Sequence, residues 1–251
     1  MTALRRRITE AWLALILLTR LPLGQLPEPV PPLSAAVWAY PLVGLVVGFV
    51  GWLAQAGALA VGLAAFPTAL LAIGAMALVT GGLHLDGLAD LADGLGGGRD
   101  REHALEIMRD SRIGSYGTLA LIFALGIAVT ALAQFGTGAP LLVFLLTGVA
   151  SRFAMTAALC WLPRARPDGL GKAAAPRGSG ALVPGGLLFL GLIVATGGGA
   201  VTASAVAAVA AGIVAWRAWL RLGGQTGDVL GAVQVVAETA LLLVLSITML
   251  G

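Results

Sequence analysis

GGLHLDGLADLADGLGGGRDREHALEIMRDSRIGSYG, residues Gly81 to Gly117, lies between two long apolar runs and holds seven of the chain's twelve acids: Asp86, Asp90, Asp93, Asp100, Glu102, Glu106 and Asp110. Charge this dense at the end of an apolar run marks a place where a membrane segment meets water. Read as a helix, the spacing i, i+4, i+7 puts Asp86, Asp90 and Asp93 on one narrow face. Like charges at that spacing repel. A hard divalent cation, held by carboxylates together with substrate phosphates, would remove the repulsion. The expected metal set is Asp86, Asp90 and Asp93 with Asp110, for Mg²⁺ or Mn²⁺; a solvated acidic face is the plainer alternative. Gly96, Gly97 and Gly98 leave backbone amides open to phosphates. Arg99, Arg101, Arg109 and Arg112 are cations suited to bidentate phosphate recognition.

Outward from this stretch, 59% of the residues are hydrophobic, 11% are charged and the mean hydropathy is +0.96. These values exclude a soluble globular domain and define an integral membrane protein. The basic residues are few and flank apolar segments, so the pI near 9.7 reflects membrane topology and no nucleic-acid partner is expected. The one cysteine, Cys160, cannot form an intrachain disulfide.

The expected fold is all-α: a single polytopic domain, residues 1–251, with about six spanning helices, an N-terminal interfacial or re-entrant helix and a short cytoplasmic interfacial helix. Residues 1–33 form the interfacial segment and a connector stiffened by Pro27, Pro29, Pro31 and Pro32. Ser34 is the expected N-cap of a helix to about Ala65, with a kink at Pro41 and Gly44, Gly48 and Gly51 as packing positions. After a turn at Phe66 and Pro67, Thr68 to about Leu85 delivers the acidic cluster. A polar helix covers Arg101 to Met108. Further apolar segments cover Ser115–Phe135, Pro140–Trp161, Ala181–Thr196, Val201–Leu222 and Val229–Leu250.

With the N-terminus in the cytoplasm, the turns at Phe66, 136–139 and 197–200 fall outside and carry no lysine or arginine, which orients the acids toward the cytoplasm. Residues 163–180, rich in Pro, Gly and basic residues, are expected to be a mobile loop that contacts lipid headgroups or closes over a phosphorylated substrate. Asp228 reads equally as an N-cap or a site residue. Glu238, ten residues on and about 15 Å deeper, faces a cavity or a polar partner, with Arg152 and Gln234 as candidates. His84 points about 160° away from the carboxylates on a regular helix and reads as structural. His103 reads as solvated. Small-residue helix faces permit a homo-oligomer.

The sequence resembles the cobalamin synthases, also called adenosylcobinamide-GDP ribazoletransferases. The similarity runs through LLTRLP (Leu17–Pro22), YPLVG (Tyr40–Gly44), GGLHLDGLADLADG (Gly81–Gly94), EIMRDSRIGSYG (Glu106–Gly117), Ser151–Arg152 and TGDVLGA (Thr226–Ala232). The resemblance implies a Mg²⁺-dependent enzyme of the cytoplasmic (inner) membrane. It would join adenosylcobinamide-GDP to α-ribazole, or its 5′-phosphate, and release GMP. In that setting Asp86, Asp90 and Asp93 would serve catalysis, and Arg109, Ser111, Arg112, Tyr116, Asp228 and Arg20 would bind substrate. DLADG also matches the opening of the CDP-alcohol phosphotransferase signature, whose remainder is absent, and Glu238 leaves a cation-coupled transporter as a further reading.

Overall fold

The structure, a computed structural model, describes residues 2–167, 169, 173–174 and 178–249. Among these the regular secondary structure is helical, with one isolated parallel bridge between Arg164 and Gln225. Helix α1 (Ala3–Leu18) precedes the proline connector, and α2 (Leu33–Ala36) passes through a 3₁₀ turn at Val37–Ala39 into α3 (Tyr40–Ala60). The irregularity falls where Pro41, in the first turn of α3, has no N–H to give. Pro32 occupies the N-cap position and Ser34 lies inside α2, so Ser34 is not the cap. The chain turns at 61–64, and Phe66 and Pro67 belong to the first turn of α4 (Ala65–Thr80), where a missing proline N–H is tolerated.

Then follow α5 (Leu83–Gly97), α6 (Arg101–Ile107), α7 (Ser115–Ala133), α8 (Leu141–Trp161), α9 (Leu182–Thr196), α10 (Gly198–Leu222) and α11 (Gly227–Thr248). Among the described residues six helices are long and apolar enough to cross a membrane: the α2–α3 unit, α7, α8, α9 with its 3₁₀ lead-in from Ser179, α10 and α11. The protein is therefore a multi-pass membrane protein, with α1 too short to count among the six. The α4–α5 pair bends by 90°, so the expected continuous delivery of the acids to the end of a span is broken. Gly81 (φ +64°) and Gly82 (φ +71°) make the bend, in a left-handed conformation that a side chain would strain. Helix α5 thus runs across the direction of α4, and the pair together has the length and hydropathy of one broken or re-entrant span.

Close helix crossings build the bundle. A Cβ on Gly44 would stand 2.2 Å from the Gly148 carbonyl oxygen, and one on Gly48 2.3 Å from that of Phe144, so α3 and α8 meet backbone to backbone. The anticipated packing role of these glycines is thereby met. Gln55 closes the far end of the same pair, donating to the Ala139 carbonyl at 2.8 Å and accepting its N–H at 3.0 Å. Helix α11 packs on α5, α8 and α10 and so brings the acidic helix against the bundle's centre. The loop expected to be mobile is anchored over its first residues: Ala165 N–H donates to the Gln225 carbonyl at 3.0 Å, and Gln225 N–H to that of Pro163 at 2.7 Å. Residues 168, 170–172 and 175–177 of that expectation lie outside the described residues.

Candidate active site

Along α5 the three acids differ in environment: Asp86 is exposed, Asp90 half-buried and Asp93 buried at 8% exposure. Asp93 has a defined partner set. Its Oδ2 accepts the Gly114 N–H at 2.7 Å and its Oδ1 the Gly117 N–H at 2.9 Å, at the N-terminus of α7. The carboxylate satisfies amide donors that a helix start leaves open and sits at the positive end of the helix dipole. Gly114 and Gly117 are required, since a Cβ at either would stand 2.4 Å from an Asp93 oxygen. Of the three acids, Asp93 is thus the one that fastens the RIGSYG segment to α5.

Asp228 takes its place beside the other two. A Cβ on Gly87 would stand 2.9 Å from the Asp228 carbonyl oxygen, and one on Gly231 would stand 3.0 Å from that of His84. These two glycines let α5 and α11 touch, and the contact carries Asp228 against the acidic face. Thr226, not Asp228, caps α11, accepting the Val229 N–H at 3.3 Å. The Asp228 Oδ2 accepts from the Thr226 hydroxyl at 3.2 Å and lies 3.6 Å from Arg166 Nη1. Burial, and then the negative charges of Asp86, Asp228 and Asp93, push the Asp90 carboxyl up to about 6 against the opposing pull of Arg166. Asp86, Asp90, Asp228 and Arg166 therefore form one electrostatic unit.

Several sequence-derived candidates fall elsewhere. Gly96 lies under the Tyr116 ring, Gly97 meets Ile107, and Gly98 packs on Ala104 of α6, so these glycines serve packing and not an open phosphate cradle. Asp100 caps α6 by accepting the His103 N–H at 2.9 Å, while His103 Nδ1 accepts the Arg99 N–H at 3.3 Å. Arg101 donates to the carbonyls of Leu222 (2.7 Å) and Ala165 (2.6 Å), which makes it a brace between segments and not a phosphate cation. Asp110 and Arg112 pair on an exposed turn, with Arg112 Nη2 2.6 Å from Asp110 Oδ2. Hydrogen bonds from Arg112 hold the Asp110 carboxyl down at about 2, and Asp110 is not among the charges acting on Asp90. Arg109, Ser111 and Tyr116 are exposed. Arg20 lies at the α4–α5 bend, with its backbone N–H donating to Val79 at 2.7 Å and its side chain over Gly81.

Arg166 is the site residue that sequence reasoning passed over. It also donates to the Leu105 carbonyl at 2.8 Å, which ties α6 to the cluster. The available signal was its place between Pro163 and Pro167, a stiff frame inside a loop otherwise read as mobile. Among the described residues no three His, Cys, Asp or Glu side chains converge closely enough to cage a metal ion. A Mg²⁺ ion here would therefore take one or two of the Asp86, Asp90 and Asp228 carboxylates, with phosphate oxygens and water completing it.

Behind α5, inside the bundle, Gln234 donates to Ser151 Oγ at 3.0 Å and to Glu238 Oε2. The expected Gln234 partnership of Glu238 is present. Arg152 acts on Glu238 by charge, but neither Arg152 Nε nor Glu238 Oε1 has a hydrogen-bond partner.

A helical multi-pass bundle that brings Asp86 and Asp90 of α5 beside Asp228 of α11 and Arg166 of the loop after α8 has, for its class, the make-up of an integral membrane enzyme, and its relatives specify a transferase. The profile of the cobalamin-5-phosphate synthase family matches residues 10–246, and the chain belongs to that family. A Bradyrhizobium diazoefficiens protein named adenosylcobinamide-GDP ribazoletransferase is 41% identical over 254 residues, covering 99% of this chain and 97% of its own. Proteins of the same name from Mesorhizobium japonicum (40% identical; 98% and 95% covered) and Sinorhizobium medicae (43%; 84% and 84%) are also similar. No solved structure matches.

Proposed function

We propose that the chain transfers the cobinamide-phosphate group of adenosylcobinamide-GDP to α-ribazole, or to its 5′-phosphate, and releases GMP. The observation that carries this reading is the clustering of Asp86, Asp90 and Asp228 with Arg166, in a chain whose relatives bear that enzyme's name. The ribazole 3′-hydroxyl oxygen forms a bond to the phosphorus attached to cobinamide as the bond from that phosphorus to the GMP oxygen breaks. Asp90 is the proton acceptor for that hydroxyl: a carboxyl near pH 6 is basic enough to take the proton and ionised at neutral pH. Arg166, beside Asp228, binds the diphosphate. Mg²⁺, held by Asp86 and Asp228 with the substrate's phosphates, would neutralise charge on the diphosphate, which leaves Asp90 free to take the proton. Arg109 and Arg112 serve as outer phosphate contacts, Arg112 exchanging Asp110 for substrate.

The basic residues flank the same ends of the helices as the acids, which supports a cytoplasmic orientation in the inner membrane. The test is GMP release by purified, lipid-reconstituted protein given adenosylcobinamide-GDP and α-ribazole, with and without Mg²⁺. Metal-dependent release that falls at least a hundredfold in folded Asp90→Asn is expected. No release from folded wild type rejects the substrate assignment, and full activity of the variant removes Asp90 from the chemistry.

A further inference from the structure

Directly behind the acidic helix, a cavity of about 60 Å³ is lined by residues of α3, α4, α5, α7, α8 and α11. Three of its lining side chains carry a buried polar atom with no hydrogen-bond partner: His84 Nε2, Arg152 Nε and Glu238 Oε1. They come from three different helices, α5, α8 and α11. Arg152 is 1% exposed and His84 5% exposed, so bulk water does not satisfy them. Arg152 and Glu238 sit near the middles of their spans, where an uncompensated polar group is least tolerated. Their charges act on one another, yet the two unpartnered atoms show that direct contact does not complete either group.

A polar cavity holds water once it offers at least about 10–15 Å³ and two or more polar partners. At about 30 Å³ of liquid volume per molecule, 60 Å³ accommodates roughly two waters. We infer that this cavity is an internal water site whose waters join His84, Arg152 and Glu238, and so hold the first turn of α5 against α8 and α11. Asp86 stands two residues after His84 on that turn, so the water site positions the carboxylates from behind without touching substrate. Gln234, bonded to both Ser151 and Glu238, fixes the α8–α11 side of the same network. The catalytic consequence rests on the transferase reading; the presence of the waters does not.

Hydroxyl-radical footprinting of the purified wild-type protein in H₂¹⁸O, with radicals generated in place by an X-ray pulse, tests the waters directly. Met76 and His84 line the cavity and are 6% and 5% exposed; Met155, 3% exposed in the apolar core, is the dry control. Labelling of Met76 and His84 at least tenfold faster than Met155 is expected, and equal rates overturn the inference. The double variant Arg152→Met, Glu238→Met makes the cavity apolar without leaving one charge unpaired. It is expected to lose the Met76 label and to speed amide exchange at 83–89 at least tenfold, with exchange in α8 unchanged. Unchanged exchange at 83–89 in a folded variant overturns the positioning role. In GMP release the same variant is expected to lose kcat at least tenfold with KM within twofold, and retained kcat overturns the catalytic consequence. The footprint and exchange readings use no substrate, so their failure is distinct from failure of the transferase assignment.

Discussion

Arg166 Nη1 lies 3.6 Å from Asp228 Oδ2, joining the loop after α8 to the first turn of α11 at the edge of the acidic face. Neither partner is adjacent to α5 in sequence, yet both charges act on Asp90. Arg166→Ala is expected to raise KM for adenosylcobinamide-GDP at least tenfold. Arg166→Lys restores only part of it, because an ammonium does not reproduce the planar fork of a guanidinium. Steady-state kinetics of both variants decide the point, and an unchanged KM in Arg166→Ala removes this arginine from substrate binding.

Asp93 is expected to behave differently from its two neighbours in the motif. Its two charge-assisted bonds to Gly114 and Gly117 contribute on the order of 3 kcal/mol. Asp93→Ala therefore lowers the thermal midpoint in detergent by several degrees and loosens the start of α7, whereas Asp86→Asn leaves the midpoint unchanged while activity falls. Equal midpoints for Asp93→Ala and Asp86→Asn contradict this division of labour.

The metal-free protein pays a stability penalty at Asp90. Its carboxyl is raised to about 6, so the folded state binds more protons than the unfolded state between roughly pH 4 and pH 6. Stability from this group accordingly falls as pH rises through that window and stays low above it. Asp90→Asn is expected to stabilise the metal-free protein at pH 8 by about 1 kcal/mol, a figure discounted for the half-exposed carboxyl, and to give no gain at pH 4. Thermal unfolding in chelator at both pH values checks it; destabilisation at pH 8 refutes it.

Gly87 sets the distance between α5 and α11. Gly87→Ala puts a methyl 2.9 Å from the Asp228 carbonyl oxygen, and the backbones must separate, at about 1–3 kcal/mol. Activity is expected to fall at least tenfold. Gly126→Ala, on an open face of α7 with nothing within 4 Å of the added methyl, is expected to leave activity intact. Comparable activities for the two variants refute the close-approach account.

How much of this was legible in the residues follows from range. Apolar run length and the prolines locate the helices, because hydrocarbon thickness and the missing proline N–H act locally. The spacing of Asp86, Asp90 and Asp93 likewise announces one charged face, and Gly44 and Gly48 announce a close crossing. Boundaries slipped where local signals competed: Pro67 reads as a turn but starts α4, and Ser34 reads as a cap that Pro32 displaces.

The sequence by itself determined a multi-pass helical protein with an acidic face on α5, since periodicity and hydropathy are properties of neighbouring residues. Only the tertiary structure decided what each acid does. Asp93 is bound by amides 21 and 24 residues away, and Asp110 pairs with Arg112 on an exposed turn. Asp228 enters the site because Gly87 and Gly231 let two backbones touch, and Arg166 reaches it from a loop braced by Arg101 and Gln225. Charges interact through space, and the 90° bend at Gly81–Gly82 and the helix crossings determine which of them meet.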